Sequence, residues 1–592
     1  MIKIGIVDSG VNIKHNAFKD YNVKGYSLSF NEEGNLVRNE SFQDNIGHGT
    51  AVYYLILKHS PVVEITNIKI YDEEVEINQS DFEDILEYIS GNENFDILHF
   101  SMGIVNCGST KRMQELVNRI HEKGTIIVSA FDNDGAISFP AALDNVIGVD
   151  SDSDIKTLND FKYVENSIVN IIGKARLQKV AWVNPEYNMV LGNSFTSCYV
   201  TGAIATKLTE SRSFNLQDIC TSTISFLPIQ GNSLPFKIKK AAVFPFNKEI
   251  HSLVRYEDLL DFEIIGYYAP RISGQVGSKV SKYIQDVNSE KVIENFADIK
   301  WEEIDTIIVG HLDKISSLTK KDYKKDILDA AIKHKVNIYS FDVFDNYCTL
   351  EEQKQLNIFT PRITKDNVPN TFGKLYKTNK PILSIVGTSS SQGKFTLQLY
   401  LRKKFLESGY KVGQIGTEHS CLLFGFDHSF PCGYNSTVKL NIFDTYVMMN
   451  ELIRDLSEKD VEIIITGSQS GLLCYNDNTV NMFPTYHQIV FEAIQSDAII
   501  VCVNPYDDLK YVERIVKTAE GLSPGKVVGF VCFPIDRDID WRGDFGKTGR
   551  ISEEKENNLK KIYNDYFNRD LYILDRHSDL DALYEKCLEF FS

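Results

Sequence analysis

Asn45-Ile-Gly-His-Gly-Thr-Ala-Val52 sets His48 between two glycines. By itself the stretch is ambiguous, because a histidine beside glycines is more often a structural residue than a base. Its chemistry depends on whether a carboxylate, a nucleophile and an oxyanion donor occur elsewhere in suitable local settings.

The residues around it read as alternating strands and helices. Lys3–Asp8 is a short apolar strand ending on Asp8, and Asp96–Gly103 is another, ending in Ser101-Met102-Gly103. Met113, Leu116, Val117 and Ile120 recur at helical spacing, and Gly124 stops that helix before the strand Thr125–Phe131. Such alternation predicts an α/β fold with a mainly parallel sheet, whose functional groups collect at the carboxyl ends of the strands. Asp8, Ser101–Gly103 and Asn133, in Phe131-Asp-Asn-Asp-Gly135, all stand at such ends.

Leu191-Gly-Asn-Ser-Phe-Thr-Ser-Cys198 places Ser194 after Gly192-Asn193 and before a small-residue helical run. A serine at a helix start feels the positive field of free backbone N–H groups, although an N-cap role would also account for it. Asp8 and Asn133 could equally be turn residues. The order Asp-Ser-Gly, Gly-His-Gly-Thr, Ser-Met-Gly, Asn in a glycine turn, then Gly-Asn-Ser before a helix resembles the subtilisin-like serine proteases over residues 1–210. The resemblance implies Ser194 as nucleophile, His48 as base, Asp8 as its orienting carboxylate and Asn133 as oxyanion donor. It also implies Ser101, Met102 and Gly103 as the strand that pairs with substrate. Asn193, Thr196 and Cys198 depart from the Thr, Ala and Pro usual in the family, and none of these departures removes a reacting group.

Composition narrows the class. A chain of 592 residues predicts several domains, and 43% hydrophobic with 24% charged residues is ordinary for a globular protein. No apolar run reaches the roughly 18 residues of a membrane span, and no signal peptide is legible at the start. Ten cysteines without a CxxC pair argue against disulfides or a zinc cluster. The expectation is a cytoplasmic protein with no metal at its protease site. A net charge of -18 argues against nucleic-acid partners.

Beyond a Ser/Thr/Pro/Gly-rich connector, 211–236, strands Ala241–Phe246, Phe262–Pro270, Asp305–His311 and Asn337–Val343 predict a Rossmann-like domain over 237–372. It lacks GxGxxG, so a scaffold or peptide-docking role is expected in place of a dinucleotide site. Residues 373–592 open with a strand that runs into Gly387-Thr388-Ser389-Ser390-Ser391-Gln392-Gly393-Lys394-Phe395-Thr396 and then a helix. Strand, glycine-bearing loop, lysine and helix start are the parts of a phosphate cradle. Phe395 occupies the usual Ser/Thr position. Strand tips at Thr417-Glu418-His419 and Thr466–Gly471 are expected beside the loop, with Glu418 as a base or Mg²⁺ ligand and His419 as the alternative.

This second half, 237–592, resembles a P-loop family that includes D-glutamate N-acetyltransferases, with relatives in maturation systems for ribosomally made peptides. The resemblance implies acetyl-CoA or another acyl-CoA as cofactor. The expected function is leader removal from a precursor peptide followed by modification of the product, such as acetylation of the new N-terminus. The alternative is a protease regulated by ATP or GTP with Mg²⁺. Oligomeric state is left open, a homo-oligomer among the options.

Overall fold

A computed structural model describes the chain except residues 61, 73–76, 212–213, 226–233, 285–286, 288, 345–346, 348–355, 434, 475–483 and 538–547. Two compact units are present: Met1–Ile229 with Val368–Asn379 and Ile453–Lys459, and Gln230–Asn367 with Lys380–Leu452 and Asp460–Ser592.

The first unit is built on a ten-stranded sheet. From one edge it runs β13 (Cys220–Ile224), β9 (Phe161–Val164), β10 (Ile171–Lys174), β8 (Val146–Asp152), β7 (Ile126–Ala130), β5 (Ile97–Phe100), β1 (Ile2–Asp8), β4 (Val63–Lys69), β2 (Lys24–Phe30) and β3 (Leu36–Asn39). Pairing is parallel through β2, β4, β1, β5, β7, β8 and β10, with β3 and β9 antiparallel to their neighbours β2 and β10. A small hairpin, β11 (Gln178–Ala181) and β12 (Tyr187–Val190), lies apart from the sheet.

Both sheet faces are covered, which explains why the central strands read as continuous apolar runs. Along β1, Ile4 and Ile6 pack with α1 (His48–His59) and α4 (Asn193–Glu210), while Val7 packs on the opposite face with α2 (Gln79–Asn92) and α3 (Lys111–Glu122). This is the two-residue period of a strand. Each fully buried aliphatic side chain contributes roughly 1.5–3 kcal/mol. Met113, Leu116, Val117 and Ile120 form the buried face of α3, and Gly124 with φ 88 follows its end.

The connector starts later than residue 211. Leu216–Ile219 forms a 3-10 turn capped by Asn215, and Cys220–Ile224 is the edge strand β13, paired with β9. Its Ser/Thr content suggests a loop, but β-branched residues at a sheet edge satisfy their backbone by pairing. The middle of the connector, 226–233, lies outside the described residues.

Residues 373–379, expected to open the P-loop domain, pack in the first unit. There β20 (Lys377–Thr378) pairs with β6 (Asn106–Cys107). Leu375 exchanges backbone hydrogen bonds with Gly135 and Ile137 at 3.2 and 2.9 Å, and Tyr376 is buried against Phe139.

The second unit holds two fully parallel sheets. One is ordered β16 (Ile293–Asn295), β15 (Glu263–Ala269), β14 (Lys240–Phe244), β17 (Thr306–Val309), β18 (Asn337–Ser340), β19 (Ile358–Phe359). Counted from its first strand, this is the 3-2-1-4-5-6 order of a Rossmann sheet, whose direction of winding reverses between β14 and β17. The other runs β23 (His428–Ser429), β22 (Val412–Gly416), β24 (Ile463–Gly467), β21 (Ile382–Gly387), β25 (Ala498–Val503), β26 (Lys526–Cys532), then a last strand Leu571–Ile573. The sheets share a core in which Tyr339 and Phe341 meet Leu399, Cys421 and Phe424.

Candidate functional site

In the first unit the glycines of the His48 stretch have separate jobs. Gly47 precedes α1 with φ 108, a left-handed value that favours glycine. A Cβ on Gly49 would lie 2.2 Å from the Gly10 carbonyl, so only glycine lets α1 start against the end of β1. Asp44 is fully buried and shapes the approach. It accepts from Ser9 Oγ, the Ile46 and Gly47 N–H groups and Thr50 N–H, each at 2.9 Å.

The result is a His48 Nδ1 that donates to the Asp8 carboxylate, 3.0 Å from each oxygen. Asp8 also accepts from the Ser9 N–H at 2.7 Å, the Tyr71 hydroxyl at 3.0 Å and the Ser101 hydroxyl. Burial works to raise the Asp8 pKa, but the charge and hydrogen bond of His48 outweigh it, with Ser101 and the Ser9 N–H helping, and hold it at about 2. Burial likewise opposes protonation of His48, yet Asp8, with a smaller contribution from Asp44, holds its pKa above the ordinary imidazole value.

Ser194 is the second residue of α4, and its hydroxyl donates to the Ser101 carbonyl at 2.6 Å. The ring of Phe195, next in sequence, lies 5.2 Å from that of His48. Asn133 Oδ1 accepts the Asn193 N–H at 2.8 Å, which fixes the orientation of the side-chain amide. The Asn193 side chain, where the resembled family has Thr, donates to the carbonyls of Phe131 and Asp132 at 3.1 and 3.2 Å and accepts from Ser151 Oγ at 2.6 Å. The substitution therefore braces the Asn133 turn. Ser101–Gly103 follow β5 directly, and a Cβ on Gly103 would meet Ser138 and the Phe139 carbonyl at 3.1 Å.

Asp8, His48, Ser194, Asn133 and Ser101–Gly103 thus converge at the carboxyl ends of β1, β5 and β7. Three contributors escape a reading of the sequence: Asp44, Tyr71 and Lys374. The last is 5% exposed; its Nζ lies 3.4 Å from both Asp150 Oδ2 and the Asp132 carbonyl, and 5.3 Å from the Phe131 ring centre.

In the second unit the Gly387–Lys394 loop joins β21 to the helix Lys394–Glu407. Ser391 and Gly393 have φ 59 and 73, so the backbone turns into a concave loop. Gln392 is buried, accepting from Ser389 N–H at 3.0 Å and donating to Thr388 Oγ1 at 2.5 Å. Lys394 Nζ donates to the Ser389 carbonyl at 2.6 Å, and burial brings its pKa down to about 8. The Phe395 ring turns into the core, 5.8 Å from Phe424 and 5.7 Å from Phe426. The Thr396 carbonyl accepts from the Tyr256 hydroxyl at 3.1 Å.

Glu418 lies within the electrostatic reach of Lys394, and burial raises its pKa. His419, the alternative base, has its Nε2 3.2 Å from Thr437 Oγ1, its ring stacked on Phe341, and a pKa pushed down to about 3 by burial with help from His311. Among the described residues no cluster of three or more His, Cys, Asp or Glu side chains could hold a metal ion.

Residues 1–223 match the subtilase family (Peptidase_S8), and residues 370–524 match a P-loop domain of unknown function (DUF1611_C). The minor extracellular protease Epr of Bacillus subtilis (strain 168) is 28% identical over 175 residues, 27% of this chain and 25% of that protease. The chain thus spans about a quarter of the length of the curated relative it matches. A cold adapted subtilisin-like serine proteinase superposes with a TM-score of 0.30 at 19% identity, over 37% of this chain and 78% of its own. A lanthipeptide protease does so at 0.30 and 16%, over 37% and 77%. The epidermin leader peptide processing serine protease of Staphylococcus aureus does so at 0.30 and 17%, over 36% and 66%. The chain carries a subtilisin-like domain of the subtilase family at its N-terminus and a P-loop domain of the DUF1611_C type in its C-terminal half.

Proposed function

We propose that the first unit is a serine endopeptidase that removes the leader of a precursor peptide, and that the second unit modifies the product. The observation that carries the proteolytic reading is the Asp8–His48 pair, joined at 3.0 Å beside Ser194 at the start of α4. In the reaction, Ser194 exchanges the Ser101 carbonyl for His48 Nε2 as its acceptor. His48 then takes the hydroxyl proton as Oγ attacks the scissile carbonyl, and Asp8 holds the ring and stabilises the imidazolium. Asn133 Nδ2 donates to the developing oxyanion. His48 passes its proton to the leaving amine, and water repeats the sequence on the acyl-enzyme. The strand Ser101–Gly103 pairs with the substrate backbone and sets its register.

The Gly387–Lys394 loop and Lys394 would hold the phosphates of an acyl-CoA, which when bound supplies an activated thioester. Phe395 favours that ligand over ATP or GTP with Mg²⁺, because the ion in such loops is held by a Ser or Thr hydroxyl following the lysine. Here that place is a phenylalanine, half-buried, whose ring packs against Phe424 and Phe426. We place the reaction in the cytoplasm, a reading supported by the free thiols of the described cysteines.

Incubating the full-length chain with precursor peptides and either acetyl-CoA or ATP, followed by mass spectrometry, tests both parts. Cleavage should be lost in Ser194→Ala, and the trimmed product should gain one acetyl group with acetyl-CoA alone. Cleavage that depends on ATP, with no acetyl mass, would favour the nucleotide-regulated protease instead.

A further inference from the structure

Two side chains that depart from the subtilase pattern, Asn193 and Thr196, reach beyond the catalytic group. Asn193 Oδ1 accepts from Ser151 Oγ at 2.6 Å, and Ser151 stands near the end of β8, where the chain enters the loop 153–160. Thr196 Oγ1 donates to the Lys174 carbonyl at 3.3 Å, and a Cβ on Gly173 would lie 2.6 Å from Thr196 Cγ2. The end of β10 is thereby seated on the first turn of α4, beside Ser194.

Between that loop and the end of β10 lies a cavity of about 340 Å³, lined by Lys156, Thr157, Leu158, Asn159, Lys174 and Arg176. Lys174 is half-buried, and its Nζ donates to the Lys156 carbonyl, which ties the two walls together. Among the described residues, the side chains of Lys156, Thr157, Asn159 and Arg176 have no hydrogen-bond or ion-pair partner. The nearby carboxylates are engaged elsewhere: Asp152 Oδ1 accepts the Asp154 N–H at 2.8 Å, and Asp160 Oδ1 accepts the Thr221 hydroxyl. Three cations and two neutral donors thus border one space, and none of the residues lining it is acidic. In a chain of net charge -18, such a cavity attracts an anion that the rest of the surface repels.

Strand register relates the cavity to the catalytic residues. Ala130 of β7 pairs with Val149 of β8, and Asp152 of β8 pairs with Lys174 of β10, so Asn133 lies about level with Lys174 two strands away. Two strand spacings are roughly 10 Å, the length of about three residues of extended peptide. A substrate paired with Ser101–Gly103 at the end of β5 meets Ser194 and Asn133 next, and reaches β8 and β10 only past the scissile bond. Resting on the protease reading above, we infer that this cavity is a specificity site for an acidic side chain of the substrate peptide, on the side of the scissile bond away from Ser101–Gly103. Arg176 supplies a planar fork of donors for the carboxylate, and Lys156 and Lys174 supply ammonium groups. Thr157 and Asn159 add neutral donors at the rim. A glutamine of the same size keeps the donors' geometry but gains no charge, and a lysine is repelled.

The test digests a library of diverse unstructured peptides with the full-length chain and maps the cleaved bonds by mass spectrometry. In the best-cleaved sequence, Glu, Gln or Lys is then placed at each of the three positions on either side of the bond, and kcat/KM is measured. Glu should exceed Gln by roughly tenfold or more at one position on the side away from the Ser101–Gly103 pairing, as expected of a charged hydrogen bond. That Glu-to-Gln ratio should fall to within about threefold in Arg176→Ala, and the double variant Lys156→Glu, Arg176→Glu should prefer Lys at the same position. Raising the salt concentration should shrink the ratio in the parent. The ratio is read within each variant, so a change in overall rate does not affect it, and circular-dichroism melting verifies that the exposed substitutions leave the chain folded. A parent that cleaves Glu and Gln peptides alike at every position overturns the inference and leaves the protease reading standing. A Glu preference unchanged in both variants shows that another surface reads the acid, and also overturns it. No cleavage of any peptide overturns it as well, and a fluorophosphonate adduct on Ser194 then shows whether the protease reading survives.

Discussion

Lys374 offers a strict test of how the Asn133 turn is held, because it arrives from sequence more than two hundred residues beyond Asn133. Lys374→Met keeps most of the aliphatic stem and removes the charge. Asp150, 18% exposed on its side chain, then loses the Nζ at 3.4 Å, and the Asp132 carbonyl keeps Asn193 Nδ2 but loses its second donor. Breaking a fully buried pair costs about 3–5 kcal/mol. Because Asp150 retains some water, the expected destabilisation is smaller, roughly 1–3 kcal/mol. Asn133 is next to Asp132, so a loosened turn should misplace its Nδ2. Outright loss of such a donor costs roughly 100- to 1000-fold in kcat; misplacement should cost part of this, on the order of tenfold, with KM little changed. Thermal melting with kcat and KM on a cleaved peptide reads both effects. A lowered melting temperature with unchanged kcat would show that Lys374 only fastens the segment 368–379 and does not position the turn.

Tyr71→Phe removes a donor from Asp8, making that carboxylate more basic and raising the pKa of His48 further above its ordinary value. Catalysis needs neutral His48, so the acid limb of kcat/KM should move to higher pH, by less than about one unit because only part of a roughly 1.5–3 kcal/mol charged hydrogen bond couples to the ring; a shift to lower pH would contradict the geometry. Asn133→Ala should lower kcat by roughly 100-fold or more, measured on the same peptide, with a modest fall in melting temperature because the Asn193 N–H loses its acceptor. Lys394→Ala should abolish calorimetric binding of acetyl-CoA while peptide cleavage by Ser194 stays within twofold of the parent.

The sequence makes legible those parts of the site that are local. Asp8 at the end of an apolar strand, Gly47 and Gly49 around His48, and Asn193-Ser194 at a helix start each announce themselves within a few residues, because positive φ, close backbone approach and helix termini restrict which residues fit. The P-loop is legible for the same reason, and Phe395 is visible as a departure, although only packing shows its ring turned inward. Partners that meet across long separations leave no local trace. Tyr71 reaches Asp8 across 63 residues, and Lys374 reaches Asp132 across 242. His311 and Asp342 fall at the ends of two strands read from the sequence, and only the strand order shows that those strands are neighbours. The connector boundary is missed because Thr221-Ser-Thr-Ile224 resembles a loop in composition and becomes a strand only through pairing with β9.

The central claim is that Ser194, activated by His48, is the nucleophile of a serine endopeptidase. Intact-mass spectrometry after treatment with a fluorophosphonate probe tests it most directly, since such reagents phosphonylate a serine hydroxyl only when a neighbouring base activates it. A single adduct should form and map to Ser194, vanish in Ser194→Ala, and form far more slowly in His48→Ala. An adduct on another residue, or none on a folded chain, would contradict the account.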